Sequence, residues 1–475
     1  MEEKRAAGLP AKKKNIDVYF YKTYFTLFFT VALQNLIVFS VNLADSMMLG
    51  AYAETAMSGV SLANQIQFFL QCTVNGAASG LVVLASQYWG KKDIASIKKV
   101  FAAAFAVGVL IAAVLEAAVL ASPAGILGLL SNETHIVAAG AEYIRILAHS
   151  YVIFAVTYML IFLLRAVESV RVGFYSSLLA LAVNVVLNYA LIFGRLGFKE
   201  MGVKGAAWAT LISRAAELLF VVLYVLLADK KLRLRPRDVF GLDRLYFRDF
   251  LKAGLPLVGS GSSWGIAMTV QTAIIGRLGA AAIGANAVTA PVFQVVAVFY
   301  LSSSTASSVL IGKTVGEGDV PRIKRYVKRL QVIFLFTGLF SSALMFLLRD
   351  PIVDFYNVTP ETRTLALTFL NILTGTVIGS AYEAPALVGI VSGGGDTAFV
   401  FRNDLIFMWG LVLPVSALSA FVFRWPVPVT FFILKADQIA KCFVAVVKVN
   451  RYRWIRDLTR ETPPAQTGEQ AEPIQ

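Results

Sequence analysis

The chain has 475 residues, of which 57% are apolar and only 15% charged. Soluble domains run at roughly 45–50% apolar and about 25% charged, so a water-soluble fold could not hide this much apolar surface. The formal net charge of +14 would suit nucleic acid, but the basic residues sit in short connections between apolar runs. Phospholipid and the positive-inside bias put them there, so a lipid bilayer is expected as partner and nucleic acid is not.

A basic tail, residues 1–21 with Lys12 to Lys14, opens the chain and has no small-residue cleavage site. About 20 apolar residues cross a bilayer as a helix, and lipid requires helices because it offers a bare peptide group no partner. Spans are expected at 22–50, 56–88, 97–121, 136–163, 171–194 and 202–228, forming a first lobe, 22–228. A basic linker, 229–246, leads to a second lobe, 247–450, with spans at 247–277, 283–312, 323–348, 362–391, 397–422 and 426–449. A tail, 451–475, closes the chain. Pro256, Pro291, Pro385 and Pro414 fall inside spans and are expected to kink them. The fold expected is an all-α membrane protein of about twelve transmembrane helices. Alternate connections are rich in Lys and Arg, as at Lys91, Lys92, Lys98 and Lys99, at Arg165 and Arg171, and at Lys313, Arg322, Lys324 and Arg325. Both termini fall on that side, which the bias makes cytoplasmic. Two cysteines and two histidines, all apart in sequence, argue against a disulfide or a thiolate metal site. No GxxxxGK[ST] loop is present, so ATP is not the expected energy source.

Shifted by 226 residues, the chain matches itself. Gly50 falls on Gly276, Ala56 on Ala282, Gly90 on Gly316, Asp93 on Asp319, and Ile97-Lys98-Lys99 on Ile323-Lys324-Arg325. Six spans per repeat give both halves the same orientation, so the axis relating them runs along the membrane normal. Transporters of this design bind between the halves and rock them.

The motifs NLADSMMLG at 42–50, QYWGKKD at 87–93, NVVLNYALIFG at 184–194, MGVKGAAWATLISR at 201–214 and GGGDT at 393–397 resemble the multidrug and toxic compound extrusion family. The tail RYRWIRDLT at 451–459 resembles the subgroup named for DNA-damage-inducible protein F. The resemblance implies a V-shaped exporter with a large central cavity. It implies small-molecule substrates, often cationic or amphipathic, expelled against a proton or sodium gradient.

Asp45 is the leading functional candidate, because a carboxylate inside a span costs roughly 2.5–3.5 kcal/mol on insertion scales. Counted from the outer ends at 1.5 Å per residue, Asp45 lies about 7 Å deep, Asn188 about 9 Å, Thr210 about 12 Å and Asn184 about 15 Å. Their adjacency is implied by the resemblance: the four positions match the family's first-half cation site, which would take H+ or Na+. Carboxylate, amide and hydroxyl oxygens suit a hard cation, and a lone buried carboxylate suits a proton. Some family members carry a second acid where this chain has Asn188, which favours the proton here. The repeat sets neutral Gln271 opposite Asp45, so coupling is expected in the first lobe alone.

Gln34, Asn64, Gln67, Gln71 and Asn75 make the first two spans polar, and a polar stripe in lipid must face protein or a wet cavity. Gln34, Asn64, Gln67, Gln71, Gln271 and Glu383 are therefore expected around a substrate cavity. Arg214 with Glu217, and Asp437 with Lys441, are spaced to pair structurally. Asn132 and Asn357, at matching places in the halves, are expected as helix caps rather than glycosylation acceptors. The function expected is ion-coupled export by a monomer in a prokaryotic inner (plasma) membrane, without cofactor and without enzymatic chemistry. The alternative, a flippase for a lipid-linked saccharide, calls for a strongly cationic cavity, and few central Arg or Lys are present. A channel calls for a ring of equivalent ligands, which unequal halves do not provide.

Overall fold

The computed structural model describes residues 9–131, 133–356 and 358–460. Asn132, Asn357 and the tail beyond 460 lie outside the described residues. The described residues form an all-α membrane protein of about twelve helical units in two pseudo-symmetric six-helix lobes. The first lobe holds α1 (Leu9–Tyr52), α2 (Glu54–Gly90), α3 (Ile94–Ala121), α4 (Thr134–Leu147 with Ser150–Ala166), α5 (Arg171–Ile192) and α6 (Gly202–Ala228). The second holds α7 (Arg244–Gly276), α8 (Ala280–Gly316), α9 (Val320–Phe355), α10 (Pro360–Val391), α11 (Thr397–Val422) and α12 (Val427–Lys435 with Asp437–Asn450).

Among the described residues nine helices are apolar and long enough to cross a membrane unaided, and the two pieces of α4, bent by 53°, make a tenth span. The remaining two units, α7 and α12, are less apolar for a physical reason. α7 carries Gly254, Gly259, Gly261 and Gly265 among serines where it meets α2 and neighbouring helices. α12 carries Lys435, Asp437 and Lys441, which turn inward. Large apolar side chains such as Phe29, Leu110, Phe336 and Phe443 are instead exposed, as lipid-facing residues should be.

The repeat is visible in the local structure. α2 and α8 end at Gly90 and Gly316, and the following helices begin at Ile94 and Val320, each pair 226 apart. Both new helices start on an aspartate cap: Asp93 accepts from the Ser96 N–H at 3.0 Å, and Asp319 from the Arg322 N–H at 2.9 Å. Three expectations need correcting. The first helix reaches back to Leu9, well into the expected tail. The fourth span is not one rod: it bends where Ala148 and His149 interrupt it, with no proline to signal the break. The last span likewise breaks at Ala436. Pro256 and Pro291 stay inside continuous helices, whereas Pro385 opens a wide π-type turn, Pro385–Val391. Pro414 follows another, Leu405–Val412.

The lobes meet along one end of the molecule, the end bearing the basic connections. Near the pseudo-axis α2 and α8 cross reciprocally: a Cβ on Gly90 would stand 2.1 Å from the Lys313 carbonyl oxygen, and one on Gly316 only 1.9 Å from that of Gln87. Only glycine permits such backbone approach. Farther from that end, Gly76 abuts the Leu257 carbonyl, Gly261 abuts that of Cys72, and Ser262 Oγ donates to Thr73 Oγ1 at 3.0 Å. Phe68 then meets Trp264 at 5.6 Å between ring centroids. At the basic surface Lys313 pairs with Glu168 across the lobes at 2.8 Å.

Candidate cation site and the buried polar cores

Asp45 on α1, Asn184 and Asn188 on α5 and Thr210 on α6 converge inside the first lobe. Asp45 is 7% exposed, and both asparagines are fully buried. The spacing of four puts Asn184 and Asn188 on one face of α5, and that face meets α1 and α6. Asn188 Nδ2 donates to Asp45 Oδ1 and, at 3.0 Å, to Asn184 Oδ1. Asn184 Nδ2 reaches Thr210 Oγ1 at 3.5 Å, and Thr210 spends its own proton on the Ala206 carbonyl at 3.0 Å. The Tyr143 hydroxyl, from the first piece of α4, reaches Thr210 and the surroundings of Asp45. Asn188 Oδ1 is left buried without a hydrogen-bond partner. An orphaned acceptor beside a carboxylate is costly unless something positive sits there. Among the described residues no three of His, Cys, Asp and Glu cluster as a metal site, so the donor set is one carboxylate with neutral oxygens.

A second polar layer lies deeper on the same helices. Arg214 Nη1 donates to Glu217 Oε2 at 2.9 Å, Glu217 being buried and Arg214 partly so. Glu217 Oε1 accepts from Ser177 Oγ (3.2 Å), Ser177 Oγ accepts from Gln34 Nε2 (3.3 Å), and Gln34 Oε1 accepts from Arg165 Nη2 (2.7 Å). Gln34 therefore does not line a cavity. Its amide is consumed inside the lobe. Arg165, read from sequence as a connection residue, is 4% exposed and lies over the Phe162 ring at 4.4 Å.

The second lobe repeats this layer with other residues. Ser260, the counterpart of Gln34 at the 226 offset, donates to Asp404 of α11. Lys441 of α12 donates to Asp404 at 3.0 Å and pairs with Asp437 at 3.5 Å. Glu383, partly buried on α10, stands within electrostatic reach of Lys441, Asp437 and Asp404. Asp404 was missed in the sequence, although a charge inside an apolar span was signal enough. Where the first lobe has Asp45, the second has Gln271, 4% exposed, whose Oε1 accepts from Lys435 at 3.3 Å. Gln271 is thus also withdrawn from any cavity. Asn64, Gln67 and Gln71 remain partly exposed on α2, on the side that carries Phe68 to Trp264. Asn75, one turn on, accepts from Tyr158 at 3.5 Å.

A family model described as MatE matches residues 31–190 and 262–418, one stretch in each lobe. The chain belongs to the MatE family. Curated relatives include the uncharacterized transporter YisQ of Bacillus subtilis, 21% identical and covering 79% of this chain and 82% of its own. A probable multidrug resistance protein NorM of Streptococcus pneumoniae is 23% identical over 83% of this chain and 87% of its own. Another NorM, from Halalkalibacterium halodurans, is 24% identical over 90% and 93%. Among solved structures, a MATE protein in complex with MaL6 superposes with a TM-score of 0.82 at 17% identity, covering 90% of this chain and 95% of its own. An outward-facing multidrug resistance MATE transporter of the MOP superfamily superposes at 0.81, with the same identity and coverage. This MatE chain is accordingly a membrane transporter and not an enzyme.

Proposed function

We propose that this MatE protein exports small organic molecules, cationic or amphipathic, in exchange for protons. It works by alternating access across a prokaryotic plasma membrane, with both termini cytoplasmic. One observation carries the reading: Asp45, the one carboxylate among the four residues of the candidate cation site, is held by Asn188, while its repeat partner is a neutral Gln271 already occupied by Lys435. Coupling therefore resides in the first lobe. The proton is favoured over sodium because Asn188 aims its NH2 at Asp45, a donor that competes with a metal ion for the same oxygen. The NorM relatives, named for multidrug resistance, support drug-like substrates. So do the three carboxylates, Glu383, Asp404 and Asp437, gathered around one Lys441.

With the basic end taken as cytoplasmic, the conformation described is closed inside. A proton arriving from outside neutralises Asp45 and removes the charge that strengthens its bond from Asn188. A hydrogen bond to a charged group contributes about 1.5–3 kcal/mol. Moving a two-state equilibrium from 1:99 to 99:1 takes about 5.5 kcal/mol. Protonation alone thus biases the lobes, and substrate binding supplies the remainder. The test is reconstitution in liposomes with a pH gradient or a sodium gradient imposed separately. Uptake driven by pH alone is expected. Uptake driven by sodium at equal pH would replace the proton with sodium, and a response to neither would end the antiport reading.

A further inference from the structure

The tail motif RYRWIRDLT lies beyond both stretches matched by the family model and takes no part in the cation site. It is nevertheless among the best-anchored segments at the basic end. Trp454 is fully buried, and its Nε1 donates to the Val449 carbonyl at 2.9 Å. Its ring lies on Gly394, where a Cβ would come within 2.1 Å of it. The Arg456 N–H donates to the Gly394 carbonyl at 2.8 Å. Gly395 turns away at φ +105, a conformation glycine alone adopts readily. Asp396, buried, is held by Lys448 at 2.7 Å and Arg456 at 3.2 Å. These contacts root the segment on the second lobe.

The next residues cross to the first lobe. Gln87 of α2, fully buried, donates Nε2 to the Arg456 carbonyl at 3.2 Å and accepts at Oε1 from the Leu458 N–H at 2.8 Å. The Arg460 N–H donates to the Tyr88 hydroxyl at 3.1 Å, and Asp457 pairs with Lys91 at 2.8 Å. The Arg460 guanidinium then returns to the second lobe, donating from Nη2 to Asp249 Oδ1 on α7 at 2.9 Å. Two backbone links to one buried amide, a backbone link to a tyrosine and an ion pair thus stitch α2 to the other lobe beside the Gly90–Gly316 crossing. The repeat partner of Gln87 is Lys313, which makes its own bridge across the lobes to Glu168.

We propose that residues 454–460 are a strap that holds the basic end shut, and that Gln87, Tyr88 and Lys91 must leave it each time that end opens. The inference rests on the alternating-access reading above. Water replaces the lost partners as the interface opens, so the strap sets the balance between the two shapes rather than locking one.

The test uses full-length protein in which Cys72→Ala and Cys442→Ala remove the native thiols. One reporter is Ser86→Cys, on α2 where Gly312 of α8 presses against the Ser86 hydroxyl. The other is Trp264→Cys, at the far limit of the contact between the lobes. A membrane-impermeant maleimide is applied to each from its own side of the membrane. The strap is loosened from the tail by Asp457→Ala with Arg460→Ala, and separately from α2 by Lys91→Ala. Both variants should speed labelling at 86 about threefold or more and slow it at 264, a reciprocal change that follows from a shifted equilibrium. Unchanged rates would overturn the strap, and so would rates that rise at both reporters, which mean a loosened fold. If position 86 never labels, even with the tail intact and substrate and a pH gradient present, alternating access itself fails.

Discussion

Asp45→Asn is the most decisive single change. The amide has the volume of the carboxyl and still offers Asn188 an acceptor, so the α1–α5–α6 junction keeps its shape. The bond weakens from charge-assisted to neutral, a loss of about 1 kcal/mol, and thermal unfolding in detergent should barely move. What disappears is the only carboxylate of the site, and with it the route by which a proton gradient does work. One pH unit is worth about 1.36 kcal/mol per proton. One carboxylate carries one proton per cycle, so a unit gradient drives electroneutral exchange to about a tenfold substrate ratio. In liposomes with one pH unit imposed, unaltered protein should approach that ratio, and Asp45→Asn should equilibrate substrate near unity. A variant that still concentrates substrate tenfold would show that another group carries the proton, and the one-lobe mechanism would be abandoned.

Gln271→Ala should leave gradient-driven transport near the unaltered rate in the same liposomes. Its cost, about 1–3 kcal/mol for Lys435 left without its acceptor, should appear only as a lower unfolding temperature, and a stable but inactive variant would refute coupling confined to the first lobe. Arg214→Met strands Glu217 as an unpaired buried charge and should destabilise by about 3–5 kcal/mol, while Arg214→Met with Glu217→Met should recover most of that loss in thermal unfolding. Gly394→Ala drives a methyl into the Trp454 ring and should cost about 1–3 kcal/mol as overpacking, measured by the same melt.

The apolar helices and the repeat are legible because each is written in contiguous residues: apolar runs and aspartate caps 226 apart. The depths expected for Asp45, Asn184, Asn188 and Thr210 come from rise per residue and the ends of three helices. Their meeting depends on which faces of α1, α5 and α6 pack together, and no local pattern encodes that. Gln34 and Arg165 show the same limit. A glutamine in a span serves a wet cleft or a buried partner equally well, and here the partner is an arginine 131 residues away. Arg165 looked like a connection residue because it stands at the edge of its apolar run. Gln271 was misplaced for the reason Gln34 was, its partner Lys435 lying 164 residues on. The bend in α4 leaves no trace because neither Ala148 nor His149 forbids a continuous helix.

The reciprocal seating of Gly90 and Gly316 makes a fulcrum of the α2–α8 crossing, with almost the whole of each helix on one side of it. Both helices have 37 residues, a lever of about 55 Å at 1.5 Å per residue. While the strap holds the basic end shut, a tilt of about 10° at this pivot would carry the distant tips through about 10 Å, wide enough to pass a drug-sized molecule, whereas opening the basic end has to part the crossing itself. Gating on this plan asks for no soft hinge within either helix, only for two backbones bare enough to roll on one another.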